Sequence, residues 1–117
     1  VFAAPLGLSL IRIIAPTTPL QRARRILAGA DGFVYYIMVT GVTGTRTTIS
    51  TGIGRHMAML RRATKLPVVV GFGISNGSQA RLAASSADGA VVGSALVDAA
   101  RHGKLVHLVR NLRKALG

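Results

Sequence analysis

Four short runs of apolar residues recur along the chain, and each is followed by a glycine-, proline- or threonine-containing loop and then by a segment with helical spacing. The runs are continuous rather than alternating, which is typical of strands covered on both faces in a parallel sheet flanked by helices. They cover 8–15, 33–39, 67–70 and 90–92. This order predicts four β-loop-α units joined by right-handed crossovers.

The sequence predicts where the first helix begins and which faces of the first two helices are buried. Thr18 ahead of Pro19 predicts an N-cap followed by proline at the first helical position, and the first helix is expected to end at Gly29. Its apolar stripe consists of Leu20, Ala23, Ile26 and Leu27, opposite Arg22 and Arg25. In the second helix the stripe is Ile53, Met57, Leu60 and Ala63, with Arg55, Arg61 and Arg62 pointing elsewhere.

Three further helices follow the last two strands. Ser75 is a candidate cap for a helix over 77–86, a short helix is predicted over 95–102, and Gly103 separates it from a terminal helix over 104–116. The terminal helix has an apolar stripe of Leu105, Leu108, Val109 and Leu112.

The length of the chain limits the architecture to part of a larger barrel. A closed (β/α)₈ barrel typically takes about 250 residues, whereas this chain has 117. We therefore predict an α/β fold, half of a (β/α)₈ TIM barrel, with four βα units, parallel strands and a C-terminal helix, as a single domain over 1–117. An open sheet of this kind leaves two edges and an apolar face, which favours a homodimer, aggregation or pairing with a missing half.

Composition narrows the chemistry. The absence of Cys excludes disulfides, thiolate zinc sites and Cys nucleophiles, and the expected location is the cytoplasm. Uncharged stretches such as 32–45 are shorter than the roughly 20 apolar residues of a spanning helix, so no membrane association is expected. Lys and Arg number 15 against three acidic residues, a formal charge of +12.

The acidic residues and the histidines predict no catalytic or metal site. There is no Glu, and Asp31 and Asp88 precede the second and fourth strands, where turn residues serve stability. Asp98 is expected as a solvated or salt-bridged charge on the fourth helix. The histidines lack a pair at metal-ligand spacing and are expected at the surface or as helix caps; they are His56, His102 and His107.

Glycine-rich loops are the one feature of the sequence that indicates a binding site. They cover 40–44, 71–75 and 93–95, and each leaves the carboxyl end of a predicted strand. Glycine lets backbone N–H groups approach an oxyanion closely, and a helix N-terminus favours negative charge. For one loop a tight turn is the stronger explanation. For two consecutive loops at the last strand ends we predict a phosphate site.

At these loops the chain becomes recognisable. The segments are 10–18 (LIRIIAPTT), 33–36 (FVYY) running into 41–44 (GVTG), 67–70 (PVVV) into 71–75 (GFGIS), and 88–95 (DGAVVGSA). In order and spacing they resemble the C-terminal half of the tryptophan synthase alpha chain family, strands five to eight, over essentially all 117 residues. Each fragment is weak alone, and the combination is highly specific.

The resemblance implies a lyase that cleaves indole-3-glycerol phosphate to indole and glyceraldehyde 3-phosphate by a retro-aldol step in tryptophan biosynthesis. It implies no cofactor on this chain, because pyridoxal phosphate belongs to a partner beta chain that receives the indole. It assigns phosphate binding to Gly44, Gly73, Gly93 and Ser94, and substrate contacts to Tyr35, Thr43 and Phe72. The family's two catalytic carboxylates lie in the first half of the barrel and are absent here, so the isolated chain is expected to be inactive.

Two other functions compete with this one. A nucleic-acid or polyanion-binding module is suggested by the +12 charge, although the Arg residues are scattered over several helices, aromatic residues are 4% and no recognition motif appears. Another phosphate-binding half-barrel, of the kind found in histidine biosynthesis, is weakened by the lack of an Asp at the carboxyl end of a strand.

Overall fold

The four strands form one parallel sheet. The computed structural model describes residues 4–38, 46–71 and 73–117. The strands are β1 (Arg12–Ile14), β2 (Val34–Ile37), β3 (Val68–Gly71) and β4 (Gly89–Val91), in the spatial order β1-β2-β3-β4. All neighbours are parallel, with Tyr35 level with Ile13 and Val69. The predicted α/β half-barrel is confirmed, with strands shorter than the apolar runs.

A helix follows each strand, and a fifth ends the chain. The helices are α1 (Leu20–Leu27), α2 (Arg46–Ala63), α3 (Gly77–Ala84), α4 (Ser94–Arg101) and α5 (Leu105–Leu116), and a single 3₁₀ turn spans Ala4–Leu6. Gly29 ends the first helix as predicted, with φ of +71°, a conformation that costs glycine little. The predicted stripe of α2 is also confirmed, since Ile53, Met57 and Leu60 are all buried.

The two faces of the sheet have different surroundings. Side chains alternate along a strand, so Val34 and Tyr36 point one way and are fully buried, in one core with side chains of α1, α2 and α3. Ile13 and Ile37 point the other way and are 60% and 41% exposed. Within the described residues the helices cover only one face, so the expectation that both faces are covered is wrong for this part of the chain.

The cap of α1 differs from the prediction. Pro19 is the N-cap residue, and its carbonyl accepts from the Ala23 N–H at 2.9 Å. Thr18 instead lies in the preceding turn, where its hydroxyl accepts from the Ala15 N–H at 3.2 Å. The proline fits here because the N-cap backbone is extended.

The cap of α3 differs in the same way. Asn76, not Ser75, caps this helix, because its side-chain oxygen accepts from the Gln79 N–H at 2.9 Å. The N–H and hydroxyl of Ser75 both donate to the Gln79 side-chain oxygen, at 2.8 and 2.9 Å. Gln79 thus donates its N–H to Asn76 and accepts from Ser75 with its side chain, a variant of the capping box in which the side-chain bond goes to the residue before the cap.

The buried stripe of α5 is narrower than predicted. Leu112 is buried and Leu108 half-buried, whereas Leu105 and Val109 are exposed. The reason is that α5 packs on α3 and α4 rather than on the sheet. The contact with α3 is close, since a Cβ on Gly77 would meet the Asn111 side-chain oxygen, which accepts from the Gly77 N–H at 3.1 Å.

Two carboxylates hold the amino-terminal ends of the strands. Asp88 accepts from the Val68 N–H and from the Arg61 guanidinium, both at 2.7 Å. These two hydrogen bonds, the backbone one first, lower the pKa of Asp88 below its ordinary value of 3.8. Asp31 accepts from the Ser9 hydroxyl at 3.0 Å. Both aspartates therefore serve stability, as predicted.

Candidate functional site

A cavity of about 480 Å³ opens where β2, β3 and β4 end. It lies at the carboxyl ends of parallel strands, the place where α/β folds bind ligands. The structure brings together four of the predicted site residues at this cavity: Tyr35, Gly73, Gly93 and Ser94. The other three, Thr43, Gly44 and Phe72, lie outside the described residues.

The loop after β3 presents its backbone to the cavity. Gly73 has φ of +23°, a value that side-chain-bearing residues rarely adopt, and it is exposed. The next residue, Ile74, is 4% exposed and belongs to the core. Ile74 thus anchors the described part of this loop in the core, while Gly73 directly before it stays exposed.

The loop after β4 leads directly into α4. Gly93 is the N-cap residue, and its carbonyl accepts from the N–H groups of Leu96 and Val97 at 2.9 and 3.2 Å. The first N–H groups of a helix have no partner inside it, which leaves those of Ser94 and Ala95 for a ligand. A Cβ placed on Gly93 would meet no atom within 4 Å, so the space beside it is open.

Tyr35 reaches the cavity across the sheet. It is level with Val69 on β3, and its hydroxyl lies over Gly71, two residues further along. A Cβ on Gly71 would overlap that hydroxyl. The glycine at the end of β3 therefore creates the space in which the tyrosine ring lies beside the cavity.

Asp98 is the site residue that the sequence analysis missed. It is exposed, as expected, and its carboxylate is 3.7 Å from the Nδ1 atom of His102. It also lines the cavity, and it is the only charged residue among the described lining residues. Its position four residues after Ser94 was the available signal, because residues at i and i+4 share one face of a helix.

The three histidines differ in their surroundings. The prediction of a surface or capping role is wrong for His56, which is half-buried, with its Nδ1 atom 2.6 Å from the hydroxyl of Tyr36. Burial raises the pKa of Tyr36 to about 12. His102 is the C-cap residue of α4, with Nδ1 2.9 Å from the Asp98 carbonyl oxygen, and His107 is exposed. Residues 4–38, 46–71 and 73–117 contain no cluster of three metal-ligating side chains.

The helices that the structure describes include none with the length and apolar character needed to cross a lipid bilayer.

Comparison with known proteins points to one family. Residues 2–115 match the family described as tryptophan synthase alpha chain. The tryptophan synthase alpha chain of Granulibacter bethesdensis is 48% identical over 97 residues, covering 83% of this chain and 35% of that protein. The corresponding protein of Geobacter sulfurreducens is 46% identical over 118 residues, covering 95% and 45%.

A solved structure agrees with the sequence matches. The structure of Mycobacterium tuberculosis tryptophan synthase superimposes with a TM-score of 0.82 at 31% identity, covering 97% of this chain and 44% of that one. The chain thus spans less than half the length of the relatives it matches.

Proposed function

Because the chain belongs to the tryptophan synthase alpha chain family, we propose that it is the phosphate-binding half of a barrel lyase that cleaves indole-3-glycerol phosphate to indole and glyceraldehyde 3-phosphate. In this proposal residues 1–117 are one domain that corresponds to strands five to eight of the barrel. The observation that supports this proposal best is that one cavity at the carboxyl ends of the strands is lined by Gly73, Gly93 and Ser94.

Backbone groups are the proposed phosphate ligands. The N–H groups of Ser94 and Ala95 begin α4, where the helix dipole contributes about 0.3–1 kcal/mol for an anion. Gly73 and Gly93 allow close approach of the phosphate because they carry no side chain. The apolar strand residues Ile37 and Val91 line the same cavity and offer a surface for the rest of the substrate.

Catalysis is proposed to need groups that this chain lacks. Opening the carbon–carbon bond requires proton transfer, and a positioned acid or base contributes typically 10²–10⁴-fold. The sequence has no Glu, and Asp31 and Asp88 hold the opposite ends of the strands. Asp98 remains at the cavity, on the helix whose first N–H groups are the proposed phosphate ligands. We therefore expect no turnover of indole-3-glycerol phosphate by the isolated chain.

The cofactor and partner follow from family membership. Alpha chains of tryptophan synthase bind no pyridoxal phosphate, which belongs to the beta chain. Association of this chain with a beta chain is part of the proposal, and so is a cytoplasmic location.

Polyanion binding is the less favoured function. The described Arg side chains on the helices are exposed and belong to all five of them, so they do not form one track along which a nucleic acid backbone could lie. Arg61 is moreover engaged with Asp88. The basic surface is better explained as a distributed charge than as a recognition site.

The test is binding of glycerol 3-phosphate. Binding is measured as the shift that the ligand causes in the thermal unfolding transition. A ligand at 100 times its dissociation constant stabilises the folded state by about 2.7 kcal/mol. The informative variant is Gly93→Ala, which places a methyl group in the open space beside the site without clash or strained φ. We expect it to fold as the wild type does and to lose the stabilisation.

A matched control is Gly54→Ala, where the added methyl group would lie 3.5 Å from the Ser86 hydroxyl. This variant should keep the response to glycerol 3-phosphate. Equal stabilisation by sulfate and glycerol 3-phosphate, or an unchanged response in Gly93→Ala, contradicts the phosphate site. A steep loss of DNA binding with salt, without any glycerol 3-phosphate response, would favour the polyanion function instead.

A further inference from the structure

The two helices that follow the last two strands both begin beside the candidate cavity. Residues 73–75 precede α3 and line the cavity, and 93–95 line it where α4 begins. The first N–H groups of a helix have no partner inside it, so each of these two helix starts could hold an anion. The hydrogen bonds at the two starts differ.

The start of α3 is already occupied by side chains of the chain itself. The N–H of Ser75 donates to the Gln79 side-chain oxygen at 2.8 Å, and the N–H of Gln79 donates to the Asn76 side-chain oxygen at 2.9 Å. The N–H of Gly77 donates to the side-chain oxygen of Asn111 on α5 at 3.1 Å. The start of α4, by contrast, has no side-chain cap. An anion in the cavity is therefore expected at α4 rather than at α3.

Gln79 also connects α3 to the loop before it. Its side-chain oxygen accepts two hydrogen bonds from Ser75, one from the N–H at 2.8 Å and one from the hydroxyl at 2.9 Å. Ile74, the neighbour of Ser75, is buried in the core. The end of the loop thus has a hydrogen-bonded anchor and an apolar anchor on adjacent residues, directly after the exposed Gly73.

The hydroxyl of Ser75 has no proton left for a ligand. A serine hydroxyl carries one proton, and the amide oxygen of Gln79 can only accept, so this proton lies between the two side chains. Ser75 lines the cavity, yet its side chain offers an anion no donor. Its contribution to the site is therefore its position, which Gln79 holds.

We infer that Gln79 is a positioning residue for the proposed phosphate site. Through Ser75 it holds the end of the loop after β3, so that the backbone at Gly73 is in place before an anion binds at α4. A loop that is ordered beforehand loses less freedom on binding, which favours affinity. The effect on affinity rests on the proposed function, whereas the hold on Ser75 can be measured without a ligand.

The test compares Gln79→Met with Asn76→Ala in the full chain. Gln79→Met keeps the length and the helix propensity of the side chain and removes the oxygen to which Ser75 donates. Asn76→Ala removes the other side-chain hydrogen bond at the same helix start and leaves those of Ser75 in place. Both variants should lower the free energy of unfolding, so an effect confined to Gln79→Met reports positioning rather than stability.

Two measurements are made on each variant. Amide hydrogen exchange without ligand should become faster at the Ser75 N–H in Gln79→Met and stay unchanged there in Asn76→Ala. Calorimetric titration with glycerol 3-phosphate should show an affinity about two- to tenfold weaker in Gln79→Met, the change that one lost hydrogen bond produces. Gln79→Glu keeps the acceptor and should restore the protection of Ser75. If Gln79→Met does not fold, the shorter Gln79→Asn removes the same bonds.

The results separate this inference from the proposed function. Unchanged exchange of the Ser75 N–H in Gln79→Met overturns the positioning role, and so does unchanged affinity in that variant or an equal loss of affinity in Asn76→Ala. If the wild type protects the Ser75 N–H but does not bind glycerol 3-phosphate, the phosphate site itself is contradicted, and the role of Gln79 at that site falls with it.

Discussion

Asp88 and Val68 exchange two hydrogen bonds across the amino-terminal ends of β3 and β4. The Asp88 N–H donates to the Val68 carbonyl at 2.8 Å, and the Val68 N–H donates to the Asp88 carboxylate at 2.7 Å. Arg61 of α2 donates to the same carboxylate oxygen. One aspartate thus ties two strands and a helix together.

Removing this carboxylate should destabilise the fold. In Asp88→Ala the N–H of the fully buried Val68 loses its partner, and an unsatisfied buried donor costs about 1–3 kcal/mol. Urea unfolding measures the change. Asp31→Ala is the control, because its carboxylate accepts one exposed hydroxyl bond, and its cost should stay near 0.5 kcal/mol. Equal costs for the two variants would contradict the anchoring role.

The same carboxylate predicts a pH dependence. The folded-state pKa of Asp88 is lowered by the Val68 N–H and by Arg61, so its stabilisation is full above its ordinary pKa of 3.8 and is lost as the pH falls through the folded value. Asp88→Asn keeps an acceptor for Val68 but cannot ionise. The difference in free energy of unfolding between wild type and Asp88→Asn should therefore be largest near neutral pH and shrink below pH 3.8. A difference that is independent of pH would contradict this assignment.

The adjacent tyrosines of β2 should respond differently to loss of their hydroxyl groups. Tyr36→Phe leaves the half-buried His56 ring nitrogen without its 2.6 Å partner, which should cost about 1–2 kcal/mol. Tyr35→Phe is the matched control, because Tyr35 lies on the face of the sheet that the helices do not cover. It should change stability by less than about 0.5 kcal/mol. Thermal unfolding of the two variants provides the comparison. A larger loss of stability in Tyr35→Phe than in Tyr36→Phe would contradict the assignment of the stabilising hydroxyl to Tyr36.

Asp98 should weaken anion binding at the cavity that it lines. Asp98→Asn removes the only charged group among the described lining residues, and a surface charge interaction of about 0.2–1 kcal/mol corresponds to an affinity gain of about 1.4- to fivefold. Calorimetric titration with glycerol 3-phosphate measures it. Asp31→Asn makes the same change in net charge at the opposite end of the sheet and should have less effect. Equal gains would mean that net charge alone controls binding.

Much of the fold was predictable because its signals are local. Apolar runs defined the four strands, and the spacing of Ile53, Met57 and Leu60 defined the buried face of α2. Both helices begin one residue later than the predicted caps imply, because the Thr18 hydroxyl accepts from the Ala15 N–H in the preceding turn and the Ser75 hydroxyl donates to the Gln79 side chain. Which of two neighbouring polar residues caps a helix depends on the hydrogen bonds each can make in three dimensions, and the amino-acid sequence alone does not show these.

The site was predictable only in part. Glycine-rich loops after two strands indicated Gly73 and Gly93, and the topology brings them to one cavity. The contact of His56 with Tyr36 was not anticipated, because it depends on how α2 packs over β2. His56 does lie three residues after the buried Ile53, on the inner side of the helix, and this spacing was a usable signal.

The position of Asp88 has a consequence for engineering. The Asp88, Arg61 and Val68 cluster occupies one end of β3 and β4, and the cavity occupies the other. Substitutions that strengthen the contacts around Asp88 can therefore raise the melting temperature without changing ligand contacts. A library of variants confined to the loops around the cavity can alter ligand specificity while the rest of the fold stays unchanged.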